Sequence, residues 1–205
     1  LYILPLAQIP DEIDRFEAAI ATTRLELEAL RGGIPAGSPA EFGAFLDLHL
    51  LILNDHTLSE TPIDLIKGQR FNAEWALKQQ MDTLIAQFDQ IEDDYLRERK
   101  ADVVQVVERV IKALLGHSSH VPPPVSAEVG RILVAHDLSP ADMMLFKQQP
   151  FAAFITDVGG ATSHTAIVAR SLNIPSIVAL HHARQLIREN ELLIIDGRQG
   201  VLIVN

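Results

Sequence analysis

Apolar residues recur every three or four positions through the first half of the chain and gather in short unbroken runs through the second. Ile13, Phe16, Ile20, Leu27 and Leu30 make one helical stripe, closed by Gly32-Gly33 and Pro35, because glycine and proline end helices. A second helix is expected after Ser38-Pro39, which suit an N-cap and a first-turn proline, and runs to about Thr57. Phe42, Phe45, Leu46, Leu48, Leu50, Leu51 and Leu53 make it apolar nearly all round. A short helical turn is expected at 62–67. Trp75, Met81, Leu84, Ile85, Phe88, Ile91 and Tyr95 mark a third helix; Val103, Val106, Val107, Val110, Ile111, Leu114 and Leu115 mark a fourth, ending at Gly116. Four helices on short loops predict paired antiparallel hairpins.

The period changes at the proline run Val121-Pro122-Pro123-Pro124-Val125, which reads as a domain seam. Beyond it the pattern alternates strand and helix: strands at 131–135, 153–157 and 176–180, helices at 140–148, 162–172 and 183–190. Leu192-Leu193-Ile194-Ile195 and Val201-Leu202-Ile203-Val204 flank Asp196-Gly197-Arg198-Gln199-Gly200 and predict a β-hairpin with a glycine-containing loop.

Composition narrows the function classes. With 48% hydrophobic and 21% charged residues in 205, the chain can build cores and is not a disordered sequence. It has no cysteine, hence no disulfide framework, thiolate metal site or thiol nucleophile, and a cytoplasmic location is the default expectation. No apolar run approaches the ~20 residues that span a bilayer, so no membrane association is expected. A net charge of −10 argues against nucleic acid and favours a protein or small-molecule partner. The chain opens without Met in a strand-like run and closes on another, so both ends are expected to be cut.

The candidate chemistry lies in Thr156-Asp157-Val158-Gly159-Gly160-Ala161-Thr162-Ser163-His164-Thr165-Ala166. A strand runs into a double glycine, then into residues suited to capping, then into one histidine in the first turn of an apolar helix. Unpaired N–H groups and the positive end of the helix dipole favour a neutral, nucleophilic imidazole there and would stabilise an anion bonded to it. Gly159 and Gly160 allow backbone amides to approach a phosphoryl group, and Thr162, Ser163 and Thr165 offer hydroxyls around the same point. A phosphohistidine centre at His164 fits this pattern, since phosphoryl transfer asks mainly for positioning and charge stabilisation. On spacing alone, a capped surface histidine fits it as well.

The stretch from Ile155 to Ala179, with Gly159-Gly160, Thr162-Ser163-His164-Thr165, Ala169-Arg170-Ser171-Leu172 and Ile174-Pro175, resembles the swivelling phosphohistidine domain of the phosphoenolpyruvate-utilising enzymes. The helical first half resembles the domain that only enzyme I of the phosphotransferase system carries. His49-Leu50-Leu51-Ile52-Leu53-Asn54-Asp55 is similar to its partner-binding helix, and Leu133 to Pro140 to its strand-to-helix turn. The fold class implied is an α/β phosphohistidine domain, residues 1–8 and 125–205, with an inserted all-α four-helix domain, residues 9–120, and a proline linker at 121–124. The resemblance implies phosphoryl transfer from phosphoenolpyruvate, through Nε2 of His164, to the phosphocarrier protein HPr. Phosphoenolpyruvate and Mg²⁺ would belong to a separate barrel domain, with no cofactor and no metal site in this part. The alternative within the family is a swivelling domain of a pyruvate phosphate dikinase or phosphoenolpyruvate synthase; outside it, the alternative is a non-catalytic helical docking module.

Further expectations follow from the resemblance. Ser139 joins the phosphate-surrounding residues. Glu41, Ala44, Leu48, Leu51, Ile52, Asp55 and Leu58 form an acid-rimmed apolar surface for HPr, although a core face beside a solvated one reads the same way. Two positions depart from some relatives: Ala161 stands where an arginine occurs, and Met143 where a hydroxyl residue can bond the active histidine. Ser139 and Thr162 are the candidates to replace that hydroxyl. His136, at the carboxyl end of its strand, is a candidate to line the site.

Overall fold

Pro10 and the acids Asp11 and Glu12 start the first long helix, α1 (Ile9–Gly32), because proline fits a first turn and carboxylates offset the N-terminal dipole. The structure is a computed structural model that describes residues 1–34, 40–93, 97, 99–116, 130–139, 142–143, 151–160, 163–171 and 173–205, with backbone alone at His164, Val168 and Ser171. It divides into two units, Leu1–Pro35 with Gly43–His120, and Ala36–Phe42 with Val121–Asn205.

Helices follow in the helical unit as α2 (Ala40–Asn54), α3 (His56–Ser59), α4 (Thr61–Gln69), α5 (Ala73–Asp89) and α6 (Lys100–Leu114). Phe16, Ile20 and Leu27 of α1 pack into the core with Leu77 of α5 and Val103, Val106, Val107 and Val110 of α6. The second helix stops earlier than its apolar run predicts. Asp55 turns extended (φ −66°, ψ 138°) and its carboxylate accepts the Thr57 N–H at 2.8 Å, which caps α3 instead of continuing α2.

Arg15 ties three helices together. Its guanidinium reaches Glu12 and Glu74 at 2.7 Å each and the carbonyl of Leu114 at the end of α6 at 3.1 Å. Glu12 in turn accepts the N–H of Ala73, the first residue of α5, at 2.7 Å. Hydrogen bonds to the two carboxylates push the arginine further toward its charged form. Burial pulls the Glu74 carboxyl up, but Arg15 outweighs it and leaves Glu74 below its ordinary range.

Residues 1–8 depart from expectation. The Leu4 N–H donates to the Arg70 carbonyl at 2.7 Å, and Tyr2 and Asn72 exchange two bonds of 3.1 Å, so the opening segment belongs to the helical unit. Burial of Leu4 supplies the reason: its side chain is 2% exposed.

The second unit carries a parallel sheet of order β1-β2-β3, with β1 (Arg131–Ala135), β2 (Phe151–Thr156) and β3 (Ser176–Ile177). Ala135 lies opposite Thr156, and Ile155 opposite Ile177. Ala153 to Thr156 are all buried, as a central parallel strand requires. Helix α7 (His164–Ser171) connects β2 to β3, and α8 (Ala183–Leu186) follows. The expected hairpin is present as β4 (Leu193–Asp196) and β5 (Val201–Val204), its turn closed by Asp196 accepting the N–H groups of Arg198 and Gln199. The third strand is shorter than expected because Ala179 and His181 take left-handed φ of 61° and 62°, which no strand can contain. Of the helix expected at 140–148, only Asp142 and Met143 are described, both helical; the proline linker at 121–124 lies outside the described residues.

Candidate phosphohistidine site

The parallel ladder runs past the strand ends. The Asp157 N–H donates to the Ala135 carbonyl and the Val158 N–H to the His136 carbonyl, both at 3.1 Å. The chain is thereby delivered to Gly159-Gly160 at the carboxyl edge of the sheet, where α/β folds gather their ligands. Gly159 has φ 108°, and a Cβ there would meet the Ser163 hydroxyl at 3.3 Å, so side chain and backbone both demand glycine. The Gly160 carbonyl accepts the Ser163 N–H at 3.0 Å. Ser163 is then the N-cap of α7: its hydroxyl accepts the Ala166 N–H at 3.3 Å and its carbonyl the Ile167 N–H at 3.0 Å. His164 is consequently the first residue of the helix, at the positive end of its dipole.

Other expected phosphate neighbours have different tasks. Thr165 is buried, and its hydroxyl donates to the Leu138 carbonyl at 2.5 Å, so it pins α7 to the segment after β1. Ser139 forms a reciprocal cap with Asp142. Its hydroxyl donates to the Asp142 carboxylate at 2.7 Å and accepts the Asp142 N–H at 3.1 Å, while the same carboxylate accepts the Ser139 N–H. Met143 is 1% exposed and packs in the core. Gly159, Gly160 and Ser163 are thus brought together around the start of α7, whereas Thr165 and Ser139 are committed to protein partners. Thr162 and Ala161 lie outside the described residues, as does the side chain of His164.

One charged group at this edge gave no local signal in the sequence. Asp157 is 3% exposed, and its carboxylate receives the Arg184 Nε–H at 3.1 Å and the Arg184 backbone N–H at 3.4 Å, with His136 Nδ1 at 3.6 Å. Burial raises the carboxyl, but the bonds from Arg184, Ala183 and His136 outweigh that and hold it below the ordinary range. A carboxylate at the end of a buried parallel strand is the cue that could have found it.

On α2, Phe42, Phe45, Leu46, His49 and Leu53 face inward. Ala44, Leu51 and Glu41 are exposed and Leu48 and Ile52 half-buried, with Asp55 exposed just beyond the end of the helix; Leu51 is 69% exposed. Leu58 leaves this surface, since it is 2% exposed in the core of the helical unit. Asp55 is exposed but already caps α3; its bonds from Thr57, side chain first and then backbone, lower its carboxyl. Among the described residues no helix is long and apolar enough to cross a membrane, and no three His, Asp or Glu side chains are grouped to hold a metal.

The family model described as "PEP-utilising enzyme, N-terminal" matches residues 2–99, and "PEP-utilising enzyme, mobile domain" matches residues 127–200. The phosphoenolpyruvate-protein phosphotransferase of Cupriavidus necator is 50% identical over the whole chain, and that of Listeria innocua 36% identical over 98% of it. The chain spans 36% and 35% of these relatives' lengths. A solution NMR structure of an Enzyme I protein superposes with a TM-score of 0.77 at 32% identity, covering all of this chain and 82% of that one. The "N-terminal domain of Enzyme 1 - Nitrogen" gives 0.68 at 27% identity with the same coverage. A helical domain followed by an α/β domain with a glycine turn into a Ser-His helix start, matched over its whole length by these proteins, places the chain in the Enzyme I family of phosphoenolpyruvate-utilising enzymes.

Proposed function

We propose that this chain carries phosphoryl groups on Nε2 of His164, receiving them from phosphoenolpyruvate bound in the remaining part of a longer enzyme and passing them to HPr in the cytoplasm. Support comes chiefly from one observation: Ser163 caps α7 directly after the Gly159-Gly160 turn, so His164 occupies the first helical position at the carboxyl edge of the sheet. Backbone N–H groups at such a helix start stabilise the phosphoryl oxygens without any further cation. Mg²⁺ and phosphoenolpyruvate belong to the part of the relatives that this chain does not span. HPr docks on the exposed side of α2, its apolar centre against Ala44, Leu48, Leu51 and Ile52 and its basic rim beside Glu41 and Asp55.

Incubation with phosphorylated HPr should place an acid-labile phosphate on the chain, abolished in His164→Ala. No label on the wild-type chain overturns the reading. Phosphoenolpyruvate with Mg²⁺ but without HPr should leave this chain unlabelled.

A further inference from the structure

Two hydrogen bonds bracket His136. Its own carbonyl accepts the Val158 N–H, one residue before Gly159, and two residues later the Leu138 carbonyl accepts the hydroxyl of Thr165, the residue after His164. The segment 136–138 therefore runs between the entry to the glycine turn and the first turn of α7. Among the described residues, the Asp157 carboxylate orients its imidazole. Nδ1 faces the Asp157 carboxylate at 3.6 Å, and that carboxylate is itself fixed by the backbone N–H and Nε–H of Arg184. With Nδ1 turned to that carboxylate, Nε2 lies on the opposite edge of the ring, and the side chain is 59% exposed.

A buried carboxylate two residues before Gly159 is on electrostatic grounds an unfavourable neighbour for a phosphoryl dianion. Its retention makes sense if it acts through a cationic or hydrogen-bond-donating group lying between it and the anion. Arg184 is turned toward Asp157 through Nε, and His136 shares the same oxygen, Oδ2.

We propose that His136, carrying a proton on each ring nitrogen, contacts the phosphoryl group as it moves on and off His164, with Nδ1–H turned to Asp157 and Nε2–H donating to a phosphoryl oxygen, and that Asp157 and Arg184 are its positioning residues. The inference rests on the transfer reaction proposed above. In that reaction the P–N bond to the donor imidazole breaks as the P–N bond to His164 Nε2 forms. The electron pair of the broken bond stays on the donor nitrogen, which takes up a proton, and the His164 ring releases one to solvent. His136 neither gains nor loses a proton overall; it holds the group in line while the charge passes.

The test is phosphoryl exchange between phosphorylated HPr and the 205-residue chain, comparing wild type, His136→Gln, His136→Ala and Asp157→Asn. His136→Ala should lower kcat about tenfold, the effect of one charge-assisted hydrogen bond, with KM for HPr within about twofold and an unchanged unfolding midpoint, and His136→Gln, whose amide N–H can stand in for Nε2–H, should lose less. Asp157→Asn should lower kcat in the same direction, and should add no further loss in the His136→Ala background, as expected if it acts through the imidazole. Wild-type kcat in His136→Ala, or a raised KM at unchanged kcat, overturns this inference while leaving the transfer reaction standing. Failure of the wild-type chain to exchange at all overturns both.

Discussion

The hydroxyl of Thr165 donates a 2.5 Å hydrogen bond to the backbone carbonyl of Leu138, joining residues 27 apart in the chain. Through it, the helix that begins at His164 is fastened to the segment that leaves β1. The helix start that carries His164 is thus held by a neighbour whose hydroxyl is spent on the protein itself.

Thr165→Val keeps the shape of the side chain and leaves the Leu138 carbonyl without this donor in a buried setting. Denaturant unfolding should show a loss of about 1–3 kcal/mol, whereas Thr165→Ser, which keeps the hydroxyl, should lose less than about 1.5 kcal/mol. Equal losses in both would mean that the methyl group, not the hydrogen bond, carries the effect.

Leu51 and Leu58 should separate docking from packing. Leu58 is buried, and Leu58→Ala should cost about 2–5 kcal/mol of stability. Leu51 is exposed, and Leu51→Ala should change stability by no more than about 0.5 kcal/mol while raising KM for HPr at unchanged kcat. An unaltered KM would remove α2 from the docking surface.

Acid should loosen the helical unit through Glu74. Its carboxyl is lowered in the folded state, so the unfolded chain binds a proton first as pH falls. The stabilisation from its pairing with Arg15 is therefore complete above the ordinary glutamate range, about pH 4.3, and is lost as pH falls through the lower folded value. Glu74→Gln should narrow the gap to wild type progressively below about pH 4.5 in thermal unfolding scans. A gap that stays constant down to pH 2 would deny the ion pair any share in acid stability.

Two helices were legible because their apolar residues keep the helical period: α1 and α6 bury most of the stripe that the period marks, whereas α5 ends at Asp89, buries Ala73, Ala76, Leu77 and Gln80, and leaves Trp75, Met81, Leu84, Ile85 and Phe88 half-buried. What the period could not show was where a side chain would stop one helix to start another. Asp55 reads as part of an acid rim, yet its carboxylate ends the run of α2 by capping α3. The glycine turn and the Ser163 cap were equally open to reading, since both act within a few residues. Thr165 and Ser139 were not: hydroxyls near a reactive histidine look alike in sequence, and only the distant Leu138 carbonyl and the local Asp142 carboxylate decide their tasks. The end of β3 was hidden for a related reason, because nothing in Val178-Ala179-Leu180-His181 announces two left-handed residues. Tyr2 to Leu4 had a strand's composition and found its partners at 70–72 rather than in the sheet.

The sheet order has a consequence for how the chain matures on the ribosome. Every strand of the β1-β2-β3 sheet comes after α6, and the edge strand β3 reaches only to Ile177, so the parallel ladder cannot close until that residue has emerged. The helical unit, although it brings α6 back onto α1, has its last helix in place by Leu114, whereas parallel pairing must wait for the later strands and their crossover. During synthesis, then, the surface of α2 exists before His164 has a fold to stand on.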